Sequence, residues 1–180
     1  MSRILAIDPG KKGGLVVLDG LDVVHQCRAD GPHGYHQHAA KQDPDAAAMA
    51  HALEIARFTG RIDFALLEAP AWHAIGGKGK RYQMAPSSAG RSGIEHGIWR
   101  ALLTVHGIPF EVQRPQDWRK LARIVVPKDG DPKAATIAKV AAMLPGLDLY
   151  PGQCRNPHDG LADAGGMCLA GRVVLGGPRG

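Results

Sequence analysis

Within its first 27 residues the chain makes three short apolar runs, each too brief for a helix and each closed by turn residues. Arg3–Asp8 (RILAID) is rich in Ile and Leu and reads as a buried strand that stops at Pro9-Gly10. Gly13–Leu18 (GGLVVL) reads as a second strand, Asp19-Gly20 as a hairpin turn, and Asp22–Cys27 as a third strand. A chain that opens as an antiparallel meander is committed to a sheet, and the remaining residues decide how that sheet is extended and covered.

Residues 29–43, with Gly31, Pro32 and several His, read as loop. Asp45 begins a helix that runs to about Phe58 and ends at Gly60. Ile62–Glu68 is a fourth strand. Ala69–Ala89 is polar, Gly-rich and basic, so the span 69–90 reads as a flexible loop. A helix is expected from about Ser92 to His106, with Ile94, Ile98, Leu102 and Val105 on one side. Pro109–Gln113 is a fifth strand, Pro115–Leu121 a short helix with Pro in its first turn, and Lys133–Leu144 an amphipathic helix. After a loop over Pro145–Pro157, His158–Val173 forms the last helix. The order predicts one α/β domain over residues 1–180, a mixed five-stranded sheet flanked by helices. A chain of 180 residues can bury a real core.

Several classes are excluded. With 44% apolar and 22% charged residues the chain is neither disordered, collagenous nor coiled-coil. No apolar run reaches the ~18–20 residues of a membrane span, and the start shows no long apolar leader. Cys27, Cys154 and Cys168 are odd in number and far apart, which argues against a disulfide framework and predicts a reducing, cytoplasmic setting.

The charge is uneven. Lys78 to Lys133 holds 11 Lys+Arg and 5 acids, whereas the remainder is close to neutral, so one third of the chain carries the whole excess of the net +5. A basic stretch beside a separate acidic site suits a polyanion whose phosphates lie near bound metal. An ordinary solvated surface would look the same by charge alone.

The acids stand in telling places. Asp8 and Glu68 each close an apolar strand, where a carboxylate loses hydration and needs a cation, a donor or a proton. Asp159 and Asp163, four apart on the last helix, share one face, with their Cβ atoms ~5–6 Å apart. Together these could gather hard oxygen ligands around Mg²⁺. Two such ions ~3.5–4 Å apart can activate water and stabilise the leaving oxygen of a phosphodiester. Each acid also has a plain structural reading. Asp8 can begin a turn, Glu68 can end a strand in solvent, Asp159 can cap a helix, and Asp163 can pair with an Arg.

Other constellations carry less. His33, His36 and His38 have no carboxylate or thiolate at ligand spacing and read as a solvated loop. Cys154-x3-His158 has no second pair for zinc. Pro86-Ser87-Ser88 has no His–Asp partner pattern. Gly76-Gly77-Lys78-Gly79-Lys80 lacks the order of a phosphate-binding P-loop.

Ile4-Leu5-Ala6-Ile7-Asp8-Pro9-Gly10 followed by a Gly-Gly strand, Leu67-Glu68 after an apolar strand, and Asp159-Gly-Leu-Ala-Asp163-Ala164 resemble RuvC-type Holliday junction resolvases (crossover junction endodeoxyribonucleases). Gly90-Arg91-Ser92-Gly93 through Ile98-Trp99, then Gly107-Ile108-Pro109 and Pro115-Gln-Asp-Trp118-Arg119-Lys120, resemble the phage-borne branch. The likeness runs from about residue 3 to 170. It implies an RNase H-like fold, a homodimer, and Mg²⁺- or Mn²⁺-dependent nicking of branched DNA with two ions per active site.

Carried over residue by residue, the resemblance puts the catalytic acids at Asp8, Glu68 and Asp163, with a fourth partner just before the last. Many bacterial members place that partner three positions before the last Asp, which here is Gly160. Asp159 is favoured for the role, with His158 as the other candidate. Arg119 (or Lys120) and Lys133 are the implied phosphate contacts. Lys78, Lys80, Arg81 and Arg91 add cations, and Trp72 or Tyr82 can stack on an unpaired base at a branch.

A four-way junction has two equivalent strands to cut, which a C2 dimer would meet with two identical sites. The helix from Ser92 to His106 is the candidate interface, with Trp99 as its probe. Rival readings are a nucleotide-binding domain, a non-catalytic DNA-binding module, and a nuclease of the same fold acting on forks, flaps or RNA–DNA hybrids. No second Asp-x-Gly hairpin supports the first.

Overall fold

A computed structural model describes residues 2–31, 34–36, 44–70, 73–75, 81–83, 85–152 and 154–176, with only the backbone described for 73–75 and 81–83. The opening meander is β1 (Arg3–Asp8), β2 (Gly14–Asp19) and β3 (Asp22–Arg28). Helix α1 (Ala46–Phe58) follows, with the Asp45 side chain accepting from the N–H groups of Ala47 and Ala48 as an N-cap does. Next come β4 (Phe64–Glu68), a short antiparallel pair β5 (His73–Ile75) and β6 (Arg81–Gln83), and α2 (Pro86–Val105). The chain closes with β7 (Phe110–Gln113), α3 (Pro115–Leu121), α4 (Pro132–Met143) and α5 (Asp159–Gly176).

The five-stranded sheet has the order β3-β2-β1-β4-β7. β1 runs antiparallel to β2 and parallel to β4, and β7 runs parallel to β4. Side chains alternate between two cores, as a period of two requires. Ile4, Ala6, Val16, Leu18 and Leu66 face α3, α4 and α5. Leu5, Ile7, Leu15, Val17 and Leu67 face α1 and α2. Both faces are covered, which is why these strands read as unbroken apolar runs. Among the described residues no helix is long and apolar enough to cross a membrane.

Three expectations are corrected. The fourth strand begins at Phe64 rather than Ile62. The stretch taken as loop over 69–90 contains the β5–β6 ladder and the first turns of α2, which starts at Pro86 instead of Ser92. Proline at the first helical position gives up no needed N–H, so Pro86 starts a helix where the sequence reading saw only loop residues.

The third correction is rotational. α2 buries Glu95, His96, Trp99 and Leu103, while Ile94 and Val105 stay 51% and 81% exposed. The helix is turned about one residue from the expected face, because the largest side chain fills the space over the sheet. Trp99 is fully buried and meets the ring of Tyr35 edge-on at 5.0 Å. It therefore cannot probe a dimer interface, since a charge there would unfold the chain.

α5 lies almost against the opening hairpin. A Cβ at Gly160 would run into the carbonyl oxygen of Lys12 and stand 2.5 Å from the carbonyl carbon of Gly13. From the other side, a Cβ at Gly14 would be 2.9 Å from the Gly160 backbone. No side chain fits at this crossing, which explains why position 160 holds neither an acid nor a His. Gly160→Ala is expected to cost about 1–3 kcal/mol through overpacking, lowering Tm by roughly 2–12 °C for a chain this size. Circular dichroism melts check this.

Candidate active site

Asp8 and Glu68 end neighbouring parallel strands. Ile7 is in register with Leu67, so the two acids leave the sheet side by side at one edge. Asp163, one turn into α5, reaches the same place from the layer above. Their proximity is recorded in their acidities. Burial first, then the charges of Glu68, Asp163 and Glu95, push the Asp8 carboxyl well above the ordinary carboxylate range. Burial and then Asp163 push Glu68 up to about 7, against the pull of its Trp118 hydrogen bond and of Arg119. Burial also raises Asp163, partly offset by Arg119. Three carboxyls that resist ionising together mark a site that wants positive charge.

Part of that charge is supplied by the chain. Arg119 sits 3.3 Å from Asp163, donates to Thr136 Oγ1, and lies over the Trp118 ring at 4.6 Å. Lys133 pairs with Asp159 at the first position of α5, and that bond holds the Asp159 carboxyl below its usual value. The structural reading of Asp163 as an Arg partner thus holds in this state. Glu68 Oε2 accepts from the indole N–H of the fully buried Trp118 at 2.8 Å. Replacing Trp118 with Phe should push the Glu68 pKa further upward, because the hydrogen bond that lowers it is lost. NMR titration of the Glu68 carboxyl in wild type and variant checks this.

His158 stands at the helix entrance in another role. Its Nδ1 accepts the N–H of Leu161 at 3.2 Å, as an N-cap does, and its Nε2 lies 3.6 Å from Asp30. Lys120 is exposed and Arg91 half-buried. Trp72, Lys78 and Lys80 lie outside the described residues, as do the side chains of Arg81 and Tyr82.

One group escaped the sequence reading. Glu95, only 5% exposed, accepts from the backbone N–H of Gly10 and contacts His36 Nε2, both at 2.8 Å. Beside it, the fully buried Tyr35 donates its hydroxyl to the Asp8 carbonyl at 2.8 Å. Residues 34–36 are therefore no solvated loop, although His33 and His38 lie outside the described residues. The turn that carries Asp8 is clamped from the α2 side by Glu95 and Tyr35 and from the α5 side by the Gly160 crossing. The available signal was phase. Glu95, Trp99 and Leu103 recur every four residues, so Glu95 falls on the apolar row of its helix.

The donor chemistry here is that of a hard divalent cation, all carboxylate oxygens with raised affinity for positive charge. Among the described residues no three His, Cys, Asp or Glu side chains are already drawn together as a cage. Arg119, Lys133 and Trp118 occupy acid oxygens that ligation would use.

No protein-family model matches the chain, and no curated protein matches it. Among solved structures it is similar to T. thermophilus RuvC in complex with Holliday junction substrate. The TM-score is 0.62 at 16% identity, covering 98% of this chain and 97% of that one. It is also similar to the Thermus thermophilus RuvC structure, with a TM-score of 0.59 at 17% identity over 97% and 96% of the two chains. The likeness is one of fold: this chain has the RNase H-like architecture of RuvC, a mixed five-stranded sheet with helices on both faces.

Proposed function

We propose that the chain is a divalent-metal-dependent endonuclease that nicks branched DNA, with the four-way junction as its substrate. The observation that carries this reading is the meeting of Asp8, Glu68 and Asp163, from β1, β4 and α5, at one sheet edge with mutually raised acidities. The RuvC fold and the solved complex of such a fold with a Holliday junction support the substrate class. The resemblance at Gly90–Trp99, Gly107–Pro109 and Pro115–Lys120 is what favours the phage-borne branch.

In this reading Asp8, Glu68 and Asp163 hold Mg²⁺ (or Mn²⁺), two ions per site, and Asp159 is the fourth acid. Bound metal would supply an activated water and a counter-charge for the leaving 3′ oxygen. Trp118 fixes the Glu68 carboxylate. Arg119 and Lys133, released from Asp163 and Asp159, bind the scissile-strand phosphates. Lys120 and Arg91 extend that surface, as do Lys78, Lys80 and Arg81. Trp72 serves the branch point by stacking.

A homodimer completes the proposal. Gly90, Gly93 and Gly97 lie along one face of α2 with open space before each, next to the exposed Ile94. Each glycine costs such a helix ~0.5–1 kcal/mol relative to Ala. Packing within one chain gives no return for that cost, whereas close approach of a second α2 does.

The test is cleavage of matched four-way, three-way, flap, linear duplex and RNA–DNA hybrid substrates, with and without Mg²⁺. Paired nicks in the four-way junction are expected. Equal cleavage of linear duplex would remove the structure selectivity, and preferred cleavage of flaps or hybrids would move the substrate to those. Binding without cleavage by any arm would leave only a DNA-binding module. In parallel, Ile94→Glu should shift a sedimenting dimer to folded monomer.

A further inference from the structure

Far along α5 from the acids, the last turns of that helix, the end of α3 and one face of α4 enclose a groove of about 530 Å³. Its floor includes Leu121, Met143 and Val173, and its rim carries Arg123, Lys139 and Arg172, with no carboxylate in the lining. Met143 and Val173 remain 38% and 46% exposed. Other arginines are paired, Arg3 with Asp19, Arg28 with Asp30, Arg57 with Glu54 and Arg114 with Asp117. Within the described residues the three rim cations have no ion pair.

Arg123 is unusual on its own account. It has φ +54°, and it is the one non-glycine residue with positive φ among the described residues. Its N–H bonds to the Lys120 carbonyl at 3.1 Å, and the Ile124 N–H bonds to the Arg119 carbonyl at 2.9 Å. That is the Schellman closure of α3, in which the left-handed position ordinarily belongs to Gly. Here it presents a guanidinium to the groove, at a cost in backbone strain.

We propose that this groove docks an acidic amphipathic segment of another protein, its carboxylates on the three cations and its apolar side chains on the floor. Charge complementarity identifies the occupant. A phosphodiester backbone would satisfy the rim and leave the floor uncovered. Arg172 is nine residues beyond Asp163 on the same helix, roughly 14 Å along its axis. The docked segment therefore leaves the acids free, and the surface is distinct from the one assigned to DNA.

The experiment is fluorescence anisotropy of the full chain with a labelled peptide of about 15 residues, Leu on one helical face and Glu along its flanks. A Gln-for-Glu version and a short DNA duplex serve as competitors. Salt-sensitive binding is expected. The pair Lys139→Glu, half-buried, and Arg172→Glu, exposed, should weaken it at least about tenfold while four-way-junction binding is unchanged. Arg123→Gly should weaken it too, yet raise Tm by about 2–4 °C through relief of the backbone. The proposal is overturned if the acidic peptide does not bind or binds the double variant equally well. It is also overturned if duplex DNA displaces the peptide and loses affinity for the double variant, which would assign the groove to nucleic acid. Peptide binding is read without cleavage, so these outcomes stand apart from the nuclease reading.

Discussion

Asp8→Asn should lower junction nicking on the order of 1000-fold or more, leave junction binding nearly unchanged, and make the metal-free fold more stable. The two effects have one cause. The Asp8 carboxyl is buried beside Glu68, Asp163 and Glu95, and its ionised form is disfavoured by all of them. Asn keeps the shape and removes the charge, so folding improves while the proposed metal loses a central ligand. The Tyr35 bond is to the Asp8 backbone carbonyl and survives the change. Binding is kept because Arg119 and Lys133 are untouched. Asp163→Asn should also abolish nicking but gain less stability, since it leaves Arg119 without its partner. Rates on a labelled four-way junction, with melts of each variant, check this. Wild-type cleavage by Asp8→Asn would overturn the catalytic assignment.

The second large effect is a dependence of stability on pH that divalent ions reverse. Glu68 titrates at about 7 in the folded chain, against an ordinary 4.5. Asp8 and Asp163 are shifted in the same direction. At these three acids the folded chain holds more protons than the unfolded one, whereas burial lowers His25, His96 and His158 and opposes this below about pH 6.5. The acids' contribution is full below the ordinary carboxyl range and is lost as pH rises through the folded values, a change on the order of a few kcal/mol. Asp159, held low by Lys133, works oppositely, but its pair is largely exposed and small in effect.

Melts without metal should thus show Tm falling between about pH 7 and about pH 8, above the range in which the histidines titrate. Mg²⁺ should raise Tm by an amount that grows with pH, because ligands must lose their protons first. Glu68→Gln should flatten both trends. A Tm that rises over the same range, or a Mg²⁺ shift indifferent to pH, would contradict the electrostatics described for the site.

What the sequence shows of this site follows from local pattern. Strand-end acids are legible because Arg3–Asp8 and Phe64–Glu68 are apolar until they stop. The i,i+4 pair on α5 is legible because a helical face needs only counting. What stays hidden depends on distant partners. Glu95 reads as an ordinary helical acid until Gly10, 85 residues earlier, is known to lie against it. Trp118 reads as core until its N–H is seen on Glu68. Gly160 reads as a departure from the family pattern, and only the crossing with Lys12 and Gly13 gives the reason. The face of α2 was misjudged because apolar spacing fits Ile94 and Val105 as well as Trp99, and ring volume over the sheet decided between them.

The clamping of the Asp8 turn from both layers ties the meeting of the three acids to completed folding. Asp8, Glu68 and Asp163 come from elements separated by 60 and 95 positions, and no hairpin or helix carries two of the three. Their meeting requires the parallel pairing of β1 with β4, α5 seated on the hairpin, and α2 holding Gly10. Non-local contacts of this kind are slow to form and are lost together when the domain unfolds. A chain still on the ribosome, or one partly unfolded, cannot assemble the three acids. Under the proposed function, the potential to attack nucleic acid would be confined to molecules that have finished folding.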